Sequence, residues 1–216
     1  MILIKSSFEM ITVNANIEMI EKAGRVCYKS ESKITDQSSR KFIQSIIKSG
    51  HESVIEHSSI TVKIICDRGV THEIVRHRLA SYSQESTRYC NYSGGVTFII
   101  PPWVNIEPGE YKYDEPLHSG DNGAIIWAQS MWKAEADYQA LLNRGWTPQQ
   151  ARSVLPNSLK TEIVMTCNLR EWRHFFKLRT AKQAHPQMRE ITIPMLAQFK
   201  ILVPIIFDDI LFGEEK

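Results

Sequence analysis

Two widely separated stretches, SSITVKIICD (58–67) and LKTEIVMTC (159–167), alternate apolar and polar residues with a period of two. In the first, Ile60, Val62 and Ile64 share a face. In the second, Thr161, Ile163 and Met165 stand opposite Glu162, Val164 and Thr166. Successive strand residues point to opposite faces, so each stretch reads as a strand with one face that needs cover. A sheet therefore lies at the centre of the fold, and helices must supply the cover.

The helical stretches are legible from spacing and caps. Ile17, Ile20 and Ala23 form one stripe after an opening edge strand over residues 1–13. Phe42, Ile43, Ile46 and Ile47 form another, between N-cap candidates Thr35 or Asp36 and a terminating Gly50. A short helix is expected over 70–80, a polar loop over 81–95 and a short strand over 96–100. Pro- and Gly-punctuated residues 104–120 read as an irregular excursion or lid rather than a domain linker. Asp121 or Asn122 caps a long helix reaching Asn143. Thr147-Pro148-Gln149-Gln150 is a capping box with proline at the first helical position, and Pro156 ends that helix. LREWRHFFKLRT follows the second strand as a helix. The last helix starts near Gln187, with Pro194 expected to kink or interrupt it. Strands and helices do not alternate regularly. We therefore read α+β, a mostly antiparallel central sheet flanked by helices, as one domain over 1–216.

Composition excludes several classes. With 43% hydrophobic and 23% charged residues, the chain is neither disordered nor collagen-like. No run of about 18 apolar residues suggests a membrane span, and no secretory signal core is evident, so a cytoplasmic protein is expected. Cys27, Cys66, Cys90 and Cys167 form no C-x-x-C pair. The 26 Lys+Arg against 24 Asp+Glu carry no surplus that would advertise a nucleic-acid surface.

Chemistry concentrates in two segments. Arg76 to Tyr89, RHRLASYSQESTRY, packs three arginines, His77, four hydroxyl residues and two tyrosines together. Arginine forks and small hydroxyls bind phosphates and other oxyanions, although a polar surface loop would have a similar composition. From Asn168 to Arg189, six basic residues face the single acid Glu171. On a helix, Trp172, Phe176 and Arg179 share a stripe, which puts a cation on an apolar face. Either an anionic ligand or a buried acidic partner would offset that cost. The chain has no G-x-G-x-x-G and no P-loop. His72-Glu73 with His77 imitates a zinc motif, but five-residue spacing splays the histidines about 140° apart on a helix, so no metal is expected.

These residues resemble the flavin-dependent thymidylate synthases. The resemblance rests on Arg76-His77-Arg78, seven residues, Ser86 and Arg88-Tyr89, together with GHES at 50–53 and Glu56-His57. It extends to AR-x-VLP at 151–156 and N-x-R-x-x-x-H-F-x-x-L-R at 168–179. It implies conversion of dUMP to dTMP, with methylenetetrahydrofolate as one-carbon donor, FAD as bound redox cofactor, NADPH as reductant and no covalent protein nucleophile. Carried over, the FAD contacts are Ser53, Arg76, His77, Arg78, Gln84, Asn168, Arg170 and His174. The dUMP contacts are Glu73, Arg76, Gln84, Glu85, Ser86, Thr87, Arg88, Arg152 and Arg179, with Arg179 activating the uracil ring as the catalytic residue. Ser83 stands where asparagine is frequent, and Glu73 and Gln84 occupy positions that exchange acid for amide. A homotetramer with shared active sites is implied, without nucleic acid or membrane partners. The arginines and tyrosines would also suit a single-strand nucleic-acid module, and an inactive flavoprotein would keep the same blocks.

Overall fold

The computed structural model describes residues 1–112 and 121–212. It opens with β1 (Ile2–Ile4), β2 (Ser7–Asn14), α1 (Ile17–Val26) and α2 (Ser38–Lys48). These are followed by β3 (Ser59–Asp67), α3 (Arg68–Ile74), β4 (Ala80–Gln84), β5 (Thr97–Ile99) and β6 (Gly109–Glu110). Then come α4 (Asn122–Asn143), α5 (Pro148–Ala151), β7 (Lys160–Asn168), α6 (Leu169–Arg179) and α7 (Pro186–Leu202). The architecture is α+β.

The two alternating stretches are neighbours in a four-stranded sheet of order β2-β3-β7-β4. Ile60, Val62, Ile64 and Cys66 of β3 are buried, as are Thr161, Ile163, Met165 and Cys167 of β7. The Leu169 amide donates to the Ser58 carbonyl at 3.0 Å, and the hydroxyls of Thr61 and Thr166 meet at 2.9 Å. One residue number rises as its partner's falls, so the two strands run antiparallel. A second sheet places β1 between β5, which is parallel to it, and β6, which is antiparallel.

The chain divides into two compact units. The first comprises Met1–Ser7, Ile64–Arg76 and Ser83–Ile163; the second comprises Phe8–Lys63, His77–Tyr82 and Val164–Lys216. In the first, Leu3, Val96, Phe98 and Ile100 pack with Ala128, Met131 and Tyr138 of α4. In the second, Trp172, Phe175, Phe176, Phe199 and Phe207 form an aromatic cluster with ring centroids 4.9–5.8 Å apart. The Trp172 indole donates to the Ile60 carbonyl at 3.0 Å, which ties α6 to β3 within this unit.

Several expectations change. Residues 1–13 are two strands in different sheets, not one edge strand. The expected helix over 70–80 ends at Ile74, and part of the expected loop is β4. β4 reads Ala-Ser-Tyr-Ser-Gln, with no apolar face to announce a strand, and its pairing is a backbone matter. α2 starts at Ser38, because the Ser38 hydroxyl first closes a turn with the Thr35 amide at 2.9 Å. Pro194 does not interrupt α7. It is exposed, so water can serve the acceptor that loses its N–H partner. The remaining caps form as read: Gly50 adopts φ +70°, Asp121 accepts from the Gly123 amide, and the Thr147 amide donates to Gln150 at 2.9 Å. Of the 104–120 excursion, residues 113–120 lie outside the described residues.

Arg173 is a buried cation of α6 with two acidic partners. Its guanidinium, 1% exposed, bonds Glu52 at 3.0 Å, Asp209 at 2.6 and 2.7 Å, and the Ile206 carbonyl. Burial disfavours the Asp209 carboxylate, but its bonds to Arg173 outweigh that and hold its pKa below the ordinary value. Arg173→Ala should lower stability by about 1.5–3 kcal/mol through the lost charged hydrogen bonds, read as a lower urea midpoint with an unchanged m-value.

Candidate functional site

In the second unit β7 passes directly into α6. Asn168 is the hinge: its side-chain oxygen accepts the Glu171 amide at 2.9 Å and caps the helix. The first turn then presents Arg170 and His174 on the exposed side while Glu171, Trp172 and Arg173 are buried. A cavity of about 500 Å³ is lined by Asn168, Arg170, Glu171, His174, Lys177 and Glu52, among others. One of about 360 Å³ is lined by Gly50, His51, Glu52, Ser53 and Arg170. The GHES and N-x-R blocks, far apart in sequence, thus meet around two cavities that share Glu52 and Arg170. Arg170 pairs with Glu56 at 2.6 Å in an exposed position, a contact of little net worth that an incoming anion can displace.

His77 behaves differently from the exposed residues beside it. It is 4% exposed, and both ring nitrogens are occupied: Nδ1 lies 3.0 Å from Glu171 and Nε2 lies 3.1 Å from Nε of Arg179. A guanidinium only donates, so Nε2 must accept, and the single proton of the neutral ring sits on Nδ1 and points at the Glu171 carboxylate. Burial pushes His77 below its ordinary pKa of 6.5; Arg179 adds to that effect and the hydrogen bond to Glu171 opposes it. The Tyr82 hydroxyl donates to the His77 carbonyl at 2.7 Å, and burial first of all raises the pKa of that phenol. Arg179 is half-buried. It is therefore not a lone cation on an apolar stripe: its Nε donates to an imidazole that is itself hydrogen-bonded to a carboxylate.

His77, Glu171 and His174 bring one ligand atom each within 4.8 Å of one another. A metal ion there would meet the guanidinium at Nε2 of His77, so the arrangement suits a hydrogen-bond relay better than coordination. The zinc-like spacing of His72, Glu73 and His77 is not helical, because α3 ends before His77.

In the first unit, Nη1 of Arg152 donates to Oγ1 of Thr87 at 2.8 Å. The Glu85 carboxylate accepts from the Tyr92 hydroxyl at 2.8 Å and from Lys160 at 3.1 Å, while its amide bonds the Glu162 carbonyl at 2.9 Å. This pins the start of the Ser86-Thr87-Arg88 segment to β7. Ser86 Oγ accepts the Arg88 amide at 3.3 Å, and the Arg88 guanidinium lies 5.4 Å from the Tyr89 ring centroid. Nε2 of Gln84 donates to Thr71 and Thr161 at 3.0 and 3.3 Å. Glu73 is half-buried, and Arg76, in this unit, and Arg78, in the other, are exposed.

The structure thus groups Ser53, Asn168, Arg170 and His174 in one unit, and Gln84, Glu85, Ser86, Thr87 and Arg152 in the other. Sequence reasoning missed Glu171, Tyr82 and Lys160. Glu171 carried a signal: it is the one acid in the basic stretch 168–189. Cys66 and Cys167 are buried, and burial pushes both thiols far above the ordinary range, away from the nucleophilic thiolate.

Comparison with known proteins gives consistent matches. The family described as "Thymidylate synthase complementing protein" matches residues 9–205. Flavin-dependent thymidylate synthase of Mycobacterium marinum is 35% identical over 198 residues, 88% of this chain and 78% of that protein. Its counterpart in Mycobacteroides abscessus is 36% identical over 196 residues, with the same coverage. Among solved structures, the UMP/dUMP methylase PolB from Streptomyces cacaoi bound with 5-Br dUMP is similar at TM-score 0.78 and 29% identity, covering 96% of each chain. The same methylase bound with 5-Br UMP is similar at TM-score 0.76 and 26% identity, covering 96% of this chain and 95% of that one.

The lowered pKa of His77 makes a prediction about stability. The unfolded chain binds a proton near pH 6.5 that the native ring resists, so the contribution of the neutral ring is full above that pH and is lost as pH falls below it. Urea midpoints of the wild type measured from pH 8 to pH 5 should fall on the acid side more steeply than those of His77→Gln.

Proposed function

The chain belongs to the thymidylate synthase complementing protein family, the flavin-dependent thymidylate synthases, and on that premise we propose that it methylates dUMP to dTMP. Methylenetetrahydrofolate donates the carbon and NADPH the reducing equivalents. The reading is supported above all by the likeness, over nearly the whole chain, to a methylase that holds a brominated dUMP.

FAD, when bound, supplies the redox chemistry between NADPH and the nucleotide. The donor set suits it: a hydroxyl from Ser53, an amide from Asn168, the guanidinium of Arg170 and the imidazole of His174 border the two cavities. Without a glycine-rich turn, pyrophosphate must be held by side chains of this kind; Arg76, Arg78 and Gln84 are proposed as further FAD contacts on the family resemblance alone. The imidazole of His77 is committed to Glu171 and Arg179, so its contribution to the FAD site is structural.

For dUMP, the Thr87 oxygen accepts from Arg152, which leaves the Thr87 proton to donate to a phosphate oxygen beside that guanidinium. Ser86 and Arg88 extend the same anion site. The Glu85 carboxylate is taken up by Tyr92 and Lys160, so its part is to hold this segment in place. Nε2 of Gln84 is likewise committed, and the nucleotide meets its carbonyl oxygen; Glu73 and Arg76 complete the set. Arg179 stabilises negative charge on the uracil ring, an effect far larger away from water than in it. No protein nucleophile is invoked, and the buried Cys66 and Cys167 are poor candidates for one.

We read residues 1–216 as one catalytic domain, in keeping with the family match over 9–205, acting in the cytoplasm as a homotetramer. Nucleic acid and membranes are not partners in this reading. Among the described residues no helix is long and apolar enough to cross a membrane.

Purified protein given dUMP, methylenetetrahydrofolate, NADPH and FAD should form dTMP, and product should vanish when FAD or NADPH is omitted. Arg179→Ala should lower turnover by about 100- to 1,000-fold. Turnover of that variant at the wild-type rate would discard the assigned role of Arg179. If active sites are shared between chains, mixing inactive Arg179→Ala with inactive Arg88→Ala protein should restore part of the activity.

A further inference from the structure

The geometry points to a positioning pair for the catalytic arginine: Glu171 orients His77, and His77 holds Nε of Arg179, so the guanidinium is presented to the substrate in one orientation. This rests on the proposed role of Arg179 and adds two residues that act through it.

The first argument is distance. Glu171 and Arg179 lie eight positions apart on α6, about 12 Å along the axis, too far for a direct ion pair. The His77 ring bridges that gap, with one nitrogen on each partner at 3.0 and 3.1 Å. The second argument is chemistry. Only the tautomer with its proton on Nδ1 satisfies both contacts, and the Glu171 carboxylate selects it. A proton added to Nε2 would set a donor against the donor Nε–H of Arg179 and break the link.

The third argument is that every part of the pair is fixed by its surroundings. Asn168 holds the Glu171 amide, Tyr82 holds the His77 carbonyl, and Thr192 donates to the Arg179 carbonyl at 2.8 Å. Phe175 packs against the His77 ring at 4.9 Å between centroids. The charged and titratable groups around the ring are Glu171, His174 and Arg179 of α6, Tyr82 of β4 and Cys167 of β7. Of these, Glu171 favours the protonated ring, whereas Arg179 and His174 disfavour it. A guanidinium whose Nε is not held would lose rate, since misplacement of about 1 Å costs on the order of 100-fold.

Two variants separate positioning from mere packing. His77→Phe keeps the ring and its contact with Phe175 but removes both nitrogens. Glu171→Gln keeps an acceptor of the same size and removes the charge. In His77→Phe saturated with FAD, kcat should fall by about 100-fold, a larger change than any in KM for dUMP. In Glu171→Gln, the acid limb of the kcat–pH profile should move to lower pH, because the charge that favours protonation of His77 is gone.

An unmoved acid limb in Glu171→Gln overturns the inference, as does wild-type kcat in His77→Phe. If His77→Phe does not fold, the Glu171→Gln limb decides alone. Arg179→Ala, run alongside, separates the two levels. Its collapse with the other two variants at wild-type kcat and pH profile overturns the positioning pair only. Its full activity overturns the functional reading beneath it.

Discussion

The hydrogen bond from the Glu171 amide to the Asn168 side chain aims the polar side chains that α6 contributes to the second unit. It lets a strand become a helix at a single residue, with no loop in which the direction of the helix could vary. Arg170, Glu171, Arg173, His174 and Arg179 then leave one rigid element at angles set by 3.6 residues per turn. The first unit uses the same device, where Asp67 ends β3 and accepts the Val70 amide at 2.7 Å to start α3. In both places the sheet's twist and pairing are passed to a helix through one polar side chain. Functional groups mounted this way inherit the precision of the sheet.

The basic stretch 168–189 divides its charge between two tasks. Arg173 is spent on architecture, joining α6 to Glu52 and to the segment around Asp209. Arg170 stays at the surface in a weak pair, and Arg179 is half-buried against an imidazole. A local excess of cations in the sequence therefore overstates the charge offered to a ligand. What it offers is two guanidiniums in different settings: one exchangeable and wet, the other oriented and partly dry. In the function we propose, phosphate capture suits the first kind and stabilisation of ring charge the second.

Much of the fold was legible because strand alternation and helix caps are local. Ile60, Val62 and Ile64, the capping box at Thr147 and the left-handed Gly50 could each be read from a few neighbours. β4 was not legible, because Ala80 to Gln84 gain their strand conformation from β7 and carry no apolar pattern of their own. Two strands in residues 1–13 were merged because the switch between sheets leaves no mark in periodicity. At the site, the residue types were readable from their motifs, but their partners were not. Glu171 could have been singled out as an isolated acid among cations. That its carboxylate accepts a hydrogen bond from His77, and that His77 in turn holds Arg179, depends on approaches across 94 and 102 sequence positions. Tertiary proximity at that range has no local signature.

The interleaving of the two units has a consequence for biosynthesis. Each is assembled from three separate stretches of chain, and the polypeptide passes from one to the other five times. The first unit is fully translated once Ile163 has been made, whereas the second waits for α7 and for the Ile206 and Asp209 contacts that satisfy Arg173. During that interval β2 and the apolar faces of α1 and α2 have been made, yet the aromatic cluster they share a unit with has not. A nascent chain of this design must shield those faces until its last quarter emerges from the ribosome, and a gene encoding it cannot donate either half to another protein as one continuous exon-like cassette.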